Sequence, residues 1–183
     1  MGAASAVFVD RDGVINRKMD EGEYVNELDE FEFLPGSIDA LVRLSKHGFS
    51  VIVVTNQQGV GKGLTSPHSL DQIHDQLRAR VAAAGGEITA IMVCPHIDGT
   101  CDCRKPQVGL FLEAQRLYPE ISFSDSFVIG DSASDIEAAA RIGARAIRVS
   151  DSPAAKGKDE TAVRSLAQAT ELLLGSGVVS NEV

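Results

Sequence analysis

The side chains able to do chemistry in this chain stand where apolar runs stop. Asp10 and Asp12 follow Ala6-Val7-Phe8-Val9, and Gly13 breaks the pattern behind them. Two carboxylates this close repel each other and need a cation. The same letters also fit a plain turn rich in Asp and Gly. Thr55-Asn56 end a second apolar run, Cys94-Pro95-His96 a third and Gly130-Asp131 a fourth. Asp10, Asp12 and Asp131 together offer the oxygen-rich set that a hard ion such as Mg²⁺ prefers. Lys105 and Thr55 would add a cation and a hydroxyl, suited to the three oxygens of a phosphoryl transition state. Taken singly, Lys105 reads as an exposed lysine and Thr55 as a strand-end hydroxyl. Only their joint placement after strand ends favours the phosphoryl reading.

A second constellation is Cys94-x-His96 with Cys101-x-Cys103. Three thiolates and one imidazole are a normal tetrahedral Zn²⁺ set, although the one-residue spacings are tighter than the usual two. A cysteine-rich turn with a free thiol or a disulfide is the alternative. All four positions would be filled by protein, so a zinc held here is structural. It would pin the loop at 94–103 whose next residues are Arg104 and Lys105.

These groups need elements to hold them. Unbroken apolar runs with β-branched residues predict strands at 6–9, 49–54, 88–93, 127–129 and 144–149. Helices are expected from Pro35-Gly36-Ser37, over 67–84 with Ser66 as N-cap, over 107–118, over 134–142 with Gly143 as stop, and over 161–174. The glycines at 59, 61 and 63 predict a flexible or close-packed loop rather than a helix interior. Residues 17–33 read as an acidic surface loop, 153–159 as a polar loop, and the tail after Gly175 as loose. His68 and His74 on the 67–84 helix read as surface or interface residues. Strand–helix alternation with continuous apolar strands is the signature of a doubly wound, mainly parallel α/β sheet. Right-handed crossovers then bring the strand ends to one edge. The whole of 1–183 reads as one domain with short loop insertions and no large cap.

The chain has 183 residues and a net charge of −9. That balance disfavours nucleic acid and anionic membrane, which attract basic surfaces. A small phosphorylated ligand remains compatible if positive groups are concentrated locally. No apolar run approaches the roughly 20 residues of a membrane span, and the first ten residues do not look like a signal peptide. The expectation is a cytoplasmic monomer.

Asp10-Arg11-Asp12-Gly13, Thr55-Asn56, Lys105 and Gly130-Asp131 resemble the motifs of the haloacid dehalogenase superfamily of phosphatases. Phe31-Glu32-Phe33-Leu34-Pro35-Gly36, Thr55-Asn56-Gln57-Gln58-Gly59-Val60 and Cys101-Asp102-Cys103-Arg104-Lys105-Pro106 are similar to one branch, the heptose 1,7-bisphosphate phosphatases and the related histidinol-phosphatase domains. The resemblance spans about residues 6–150. It implies hydrolysis of a sugar 7-phosphate through an aspartyl-phosphate, serving nucleotide-activated heptose synthesis, with histidinol phosphate as the alternative substrate. It implies Asp10 as nucleophile, Asp12 as acid and base, and Mg²⁺ held by Asp10, the backbone carbonyl of Asp12, and Asp131. Thr55, Asn56 and Lys105 would hold the phosphoryl group. Arg104, Tyr24 and Arg11 would meet substrate, and Asp135 would support the site from behind. Two departures stand out. Ser132 replaces a lysine common after the fourth-motif Asp, and residues 97–100 are a shortened loop; both bear on specificity. A receiver-like or zinc-binding interaction module is the non-enzymatic alternative. Receivers lack the second Asp two positions after the phosphorylated one.

Overall fold

The computed structural model describes residues 4–151 and 161–175. Six strands form one sheet in which every pairing is parallel: β1 (Ala6–Val9), β2 (Ser50–Asn56), β3 (Ala90–Cys94), β4 (Phe127–Gly130), β5 (Arg145–Val149) and β6 (Thr161–Val163). Their order is β3-β2-β1-β4-β5-β6. The chain therefore winds outward from β1 in both directions, and the crevice between β1 and β4 opens at the carboxyl ends. Both flanks of that crevice end in carboxylates.

Helices cover both faces. Val7 and Val9 of β1 and Val51 and Val53 of β2 pack with α1 (Ser37–Lys46), α3 (Pro67–Ala83) and α6 (Leu166–Gly175) through Leu41, Leu44, Ile73, Leu77 and Leu166. Phe8, Ile52 and Val54 point the other way, into Leu110, Phe111, Ala138 and Ala139 of α4 (Gly109–Leu117) and α5 (Ala133–Ile142). Alternate residues of one strand thus enter two cores, which is why these strands read as continuous apolar runs. Ser66 caps α3 as expected, its Oγ accepting from Ser69 N at 2.9 Å. Gly143 ends α5 in the left-handed region, φ 74°. Among the described residues no helix is long and apolar enough to cross a membrane.

Three local expectations change. Residues 161–174 are not one helix: Thr161–Val163 pairs with β5 as a sixth strand, and α6 starts only at Leu166. Three residues are too short to show a periodicity, and the free edge of β5 selects the strand. Gln58–Gly61 forms a short helix, α2, within the expected loop. Its glycines are there for contact: a Cβ on Gly61 would lie 2.6 Å from the Pro95 carbonyl oxygen, and one on Gly59 2.6 Å from Thr65 Oγ1. His74 is buried rather than at the surface. The expected loop at 153–159 and the tail after Gly175 lie outside the described residues.

Candidate active site

Asp10 follows the last residue of β1 and stands over a buried cation. Lys105 Nζ lies 2.9 Å from Asp10 Oδ1 and 2.6 Å from Asp135 Oδ1, and it donates to the Val54 carbonyl at 2.7 Å. Three acceptors satisfy the three donors of an ammonium. The lysine is 4% exposed, so its charge is spent beneath the site rather than offered to solvent. Asn56 fixes it from the backbone: its Oδ1 accepts from Lys105 N at 3.0 Å, and its Nδ2 donates to Lys105 O at 3.2 Å. Burial pushes the Asp10 carboxyl up to about 7; Lys105 opposes this, while Asp135 and Asp12 add to it.

Asp131 completes this side, just after β4. One oxygen, Oδ2, takes Lys18 Nζ at 2.6 Å, and the other is buried with no hydrogen-bond partner. Carboxylate oxygens of Asp10, Asp131 and Asp135 lie within 4.8 Å of one another. An orphaned acceptor among three carboxylates suits a hard divalent cation. Two glycines permit the crowding. Gly13, at φ 88°, would place a Cβ 2.5 Å from Asp131 Oδ2, and a Cβ on Gly130 would run into the side chain of Asp135.

Asp12 has different partners. Its Oδ1 accepts from Arg11 Nη2 at 2.9 Å and Asn16 Nδ2 at 2.9 Å. Its Oδ2 accepts from Gln57 Nε2 at 2.7 Å, and the same amide donates to Thr55 Oγ1 at 2.7 Å. Burial works against the charge on Asp12, but Arg11 and these donors win and hold its carboxyl below the usual carboxylate range. The turn itself is closed by the Arg11 carbonyl, which accepts from Ile15 N at 2.8 Å and Asn16 N at 3.2 Å.

An open cavity of about 520 Å³ lies over these groups. Asp10, Asp12, Asn56, Arg104, Lys105, Tyr24 and Asp131 all line it. Thr55 sits just below, 1% exposed. Tyr24 Oη accepts from Gln58 Nε2 at 2.9 Å and Lys62 Nζ at 3.0 Å, so the acidic loop is docked on α2. Arg104 Nε lies 3.3 Å from Asp98 Oδ1. Arg11 is where expectation fails: it is fully buried and absent from the cavity lining, so it does not meet substrate. Its side chain turns back under Asp12 because the partners that satisfy it lie there.

Sequence reasoning also missed Gln57 and Lys18. Gln57 lies inside a quoted motif and carried no charge to draw notice. Lys18 lies in a loop whose fold no periodicity reveals, yet it supplies positive charge beside Asp131, next to Ser132.

Cys94 ends β3, and the loop after it returns on itself. Sγ–Sγ distances are 3.3 Å for Cys94–Cys103, 3.3 Å for Cys101–Cys103 and 3.6 Å for Cys94–Cys101. His96 Nδ1 lies 3.2 Å from Cys103 Sγ and 3.8 Å from Cys94 Sγ. No pair is close to the roughly 2.05 Å of a disulfide. A tetrahedron of Zn–S bonds near 2.3 Å has edges of about 3.8 Å, so the donor set is already close to the size zinc requires.

The family model described as Polynucleotide kinase 3 phosphatase matches residues 6–164. The chain is 43% identical over 144 residues to the D-glycero-beta-D-manno-heptose-1,7-bisphosphate 7-phosphatase of Pseudomonas putida, covering 78% of this chain and 81% of that protein. It is 45% identical over 141 residues to the D-glycero-alpha-D-manno-heptose-1,7-bisphosphate 7-phosphatase of Mycobacterium bovis, covering 76% and 74%. The crystal structure of D,D-heptose 1,7-bisphosphate phosphatase from B. bronchiseptica, complexed with magnesium and phosphate, matches with a TM-score of 0.86 and 32% identity over 94% of this chain and 99% of that one. With paired aspartates at β1, a hydroxyl at β2, a lysine after β3 and a third aspartate at β4, the chain belongs to the haloacid dehalogenase superfamily, in the phosphatase family these relatives share.

Proposed function

We propose that this chain is a Mg²⁺-dependent phosphatase that removes the 7-phosphate of D-glycero-D-manno-heptose 1,7-bisphosphate. The supporting observation is that two aspartates two residues apart share one cavity yet rest on separate cations, Asp10 on Lys105 and Asp12 on Arg11. Each can therefore take a different role. Asp10 Oδ attacks phosphorus, and the bond from phosphorus to the C7 oxygen breaks. Asp12 gives a proton to that oxygen. Asp12 is ionised in the free site; the negative phosphoryl group beside it favours proton uptake once substrate is seated. Asp12 then takes a proton from water, the water oxygen attacks phosphorus, and the Asp10 carboxylate is released with phosphate. Asp10, Asp131 and the Asp12 carbonyl would hold Mg²⁺, which supplies positive charge against the phosphoryl oxygens. Thr55, Asn56 and Lys105 shape the floor on which that group sits, with Lys105 acting through Asp10. Arg104 and Tyr24 face the sugar.

The rim supports a small substrate. Lys18 and Arg104 are positive, while Asp20, Glu21 and Glu23 on the same lining repel an extended polyanion. Phosphate release should be measured from both anomers of the heptose bisphosphate and from histidinol phosphate, with Mg²⁺ and with EDTA. Mg²⁺-dependent release that is fastest from a heptose anomer is expected. Faster release from histidinol phosphate, or none from any of the three, overturns the reading.

Cys94, His96, Cys101 and Cys103 would hold a structural Zn²⁺ that steadies Arg104 and Lys105. Metal analysis should find one zinc per chain, and none in Cys103→Ser. Full-length protein purified without chelator and free of zinc would rule this out.

A further inference from the structure

Arg11 is among the largest fully buried side chains in the molecule, and a buried guanidinium needs a reason. Its donors are shared between two places. Nη2 reaches Asp12 Oδ1 at 2.9 Å and Oδ2 at 3.1 Å, with Nε 3.3 Å from Oδ1. Nη1 donates to His74 Nε2 at 3.2 Å. Below it, the Phe31 ring centroid lies 5.6 Å from the guanidinium carbon. His74 belongs to α3, whose neighbours Ile73 and Leu77 are locked in the core, so it is a rigid anchor. To accept from Arg11, its Nε2 must be unprotonated.

We infer that Arg11 and His74 form a brace running from α3 to the site, which holds the Asp12 carboxylate at the angle that proton transfer requires. Arg11 is a positioning residue and touches no substrate. A fork with donors on two edges can grip a carboxylate and a ring nitrogen together; a lysine or glutamine cannot reproduce both contacts. Asn16 and Gln57 also donate to the Asp12 carboxylate, and the His74 anchor fixes the guanidinium that completes the set. The inference rests on the acid and base role given to Asp12 above.

The test compares two esters. A sugar phosphate needs a proton on its leaving oxygen; 4-nitrophenyl phosphate has a good leaving group and does not. Both need a base in the second step. In Arg11→Met, kcat for heptose bisphosphate should fall about 100-fold with KM within threefold, inside the range for lost acid–base catalysis. The same variant should release one equivalent of nitrophenolate per site in a burst, then turn over slowly as the phosphoenzyme accumulates. His74→Leu should lower kcat about tenfold and His74→Gln should restore it to within twofold, since an amide oxygen can accept from Arg11. A raised KM with unchanged kcat in Arg11→Met would mean that Arg11 binds substrate and overturns the brace. Equal losses on both esters without a burst also overturn it. If Arg11→Met does not fold, the His74 pair decides: wild-type turnover by His74→Leu overturns the brace, and a loss that Gln restores supports it. Wild-type protein that hydrolyses neither ester removes the enzymatic reading itself, whereas normal variants of an active enzyme remove only the brace.

Discussion

Asp10 and Asp12 are the same residue type, two positions apart, at the end of one strand, and their surroundings push them in opposite directions. Burial, Asp135 and Asp12 raise Asp10 to about 7 against the pull of Lys105. Arg11, Asn16 and Gln57 hold Asp12 low despite its burial. The difference lies in the share of positive charge. Lys105 is divided between two carboxylates, Asp10 and Asp135, while Arg11 serves one and is backed by two amide donors. An undercompensated carboxylate has room for a divalent cation and an incoming phosphoryl group. A well-compensated one is held at a fixed angle, as a group that shuttles a proton must be.

The largest effects separate the two aspartates directly. Asp10→Asn should remove the nucleophile and lower kcat by more than about 10⁴-fold, with no acid-trapped phosphoprotein. Asp12→Asn should cost about 10²- to 10⁴-fold while Mg²⁺ titration by calorimetry stays within a few-fold of wild type, since Asp12 contributes only a backbone carbonyl. If Asp12→Asn lost metal as Asp10→Asn does, the two would not have separate roles. Next comes Lys105→Met. Removing the one cation shared by two buried carboxylates should destabilise the fold by about 3–5 kcal/mol in urea unfolding. The loss should shrink in saturating Mg²⁺, because the metal restores charge on the Asp10 side. A loss independent of Mg²⁺ would show that Lys105 and the metal act on different groups.

The smallest effect tests the other side. Burial, with Arg11 and Arg78 nearby and only Asp12 opposing, lowers His74 from its ordinary 6.5 to about 3. The sign follows from linkage. Between those values the unfolded chain binds a proton that the folded chain refuses, so stability is complete above about pH 6.5 and declines as pH falls toward 3. His74→Gln should therefore remove up to about 1.4 kcal/mol per pH unit of slope between pH 6 and 4.5. Identical slopes in wild type and variant would mean that His74 is protonated in the folded state and could not accept from Arg11.

Most of the fold was legible because its strands feed two cores and so appear as unbroken apolar runs: Val51–Val54 belong alternately to one face and the other. The candidate site residues were legible because they stand where apolar strands end. Asp10, Asp12, Thr55, Asn56, Lys105 and Asp131 do converge, Thr55 just under the cavity floor and the rest on its lining. The cysteine and histidine donors converge as well. Other features had no local signal. Thr161–Val163 becomes a strand only because β5 has a free edge. Gln58–Gly61 turns helical where its glycines fit against Pro95 and Thr65.

What the sequence determined by itself, then, was the kind of sheet, the edge at which chemistry occurs and the residue types that could carry it, since each follows from local pattern and from charge that must be balanced. Only the tertiary structure decided how the charges are distributed. Arg11 sits between Asp10 and Asp12 and looks like a substrate contact, yet it is buried under Asp12, and His74, 63 positions away, is its other partner. Lys105 reads as a phosphate-site residue and does line the cavity, but its ammonium is shared by Asp10 and Asp135. Pairings at that sequence separation depend on which helix faces which strand end, and no neighbouring residue encodes that.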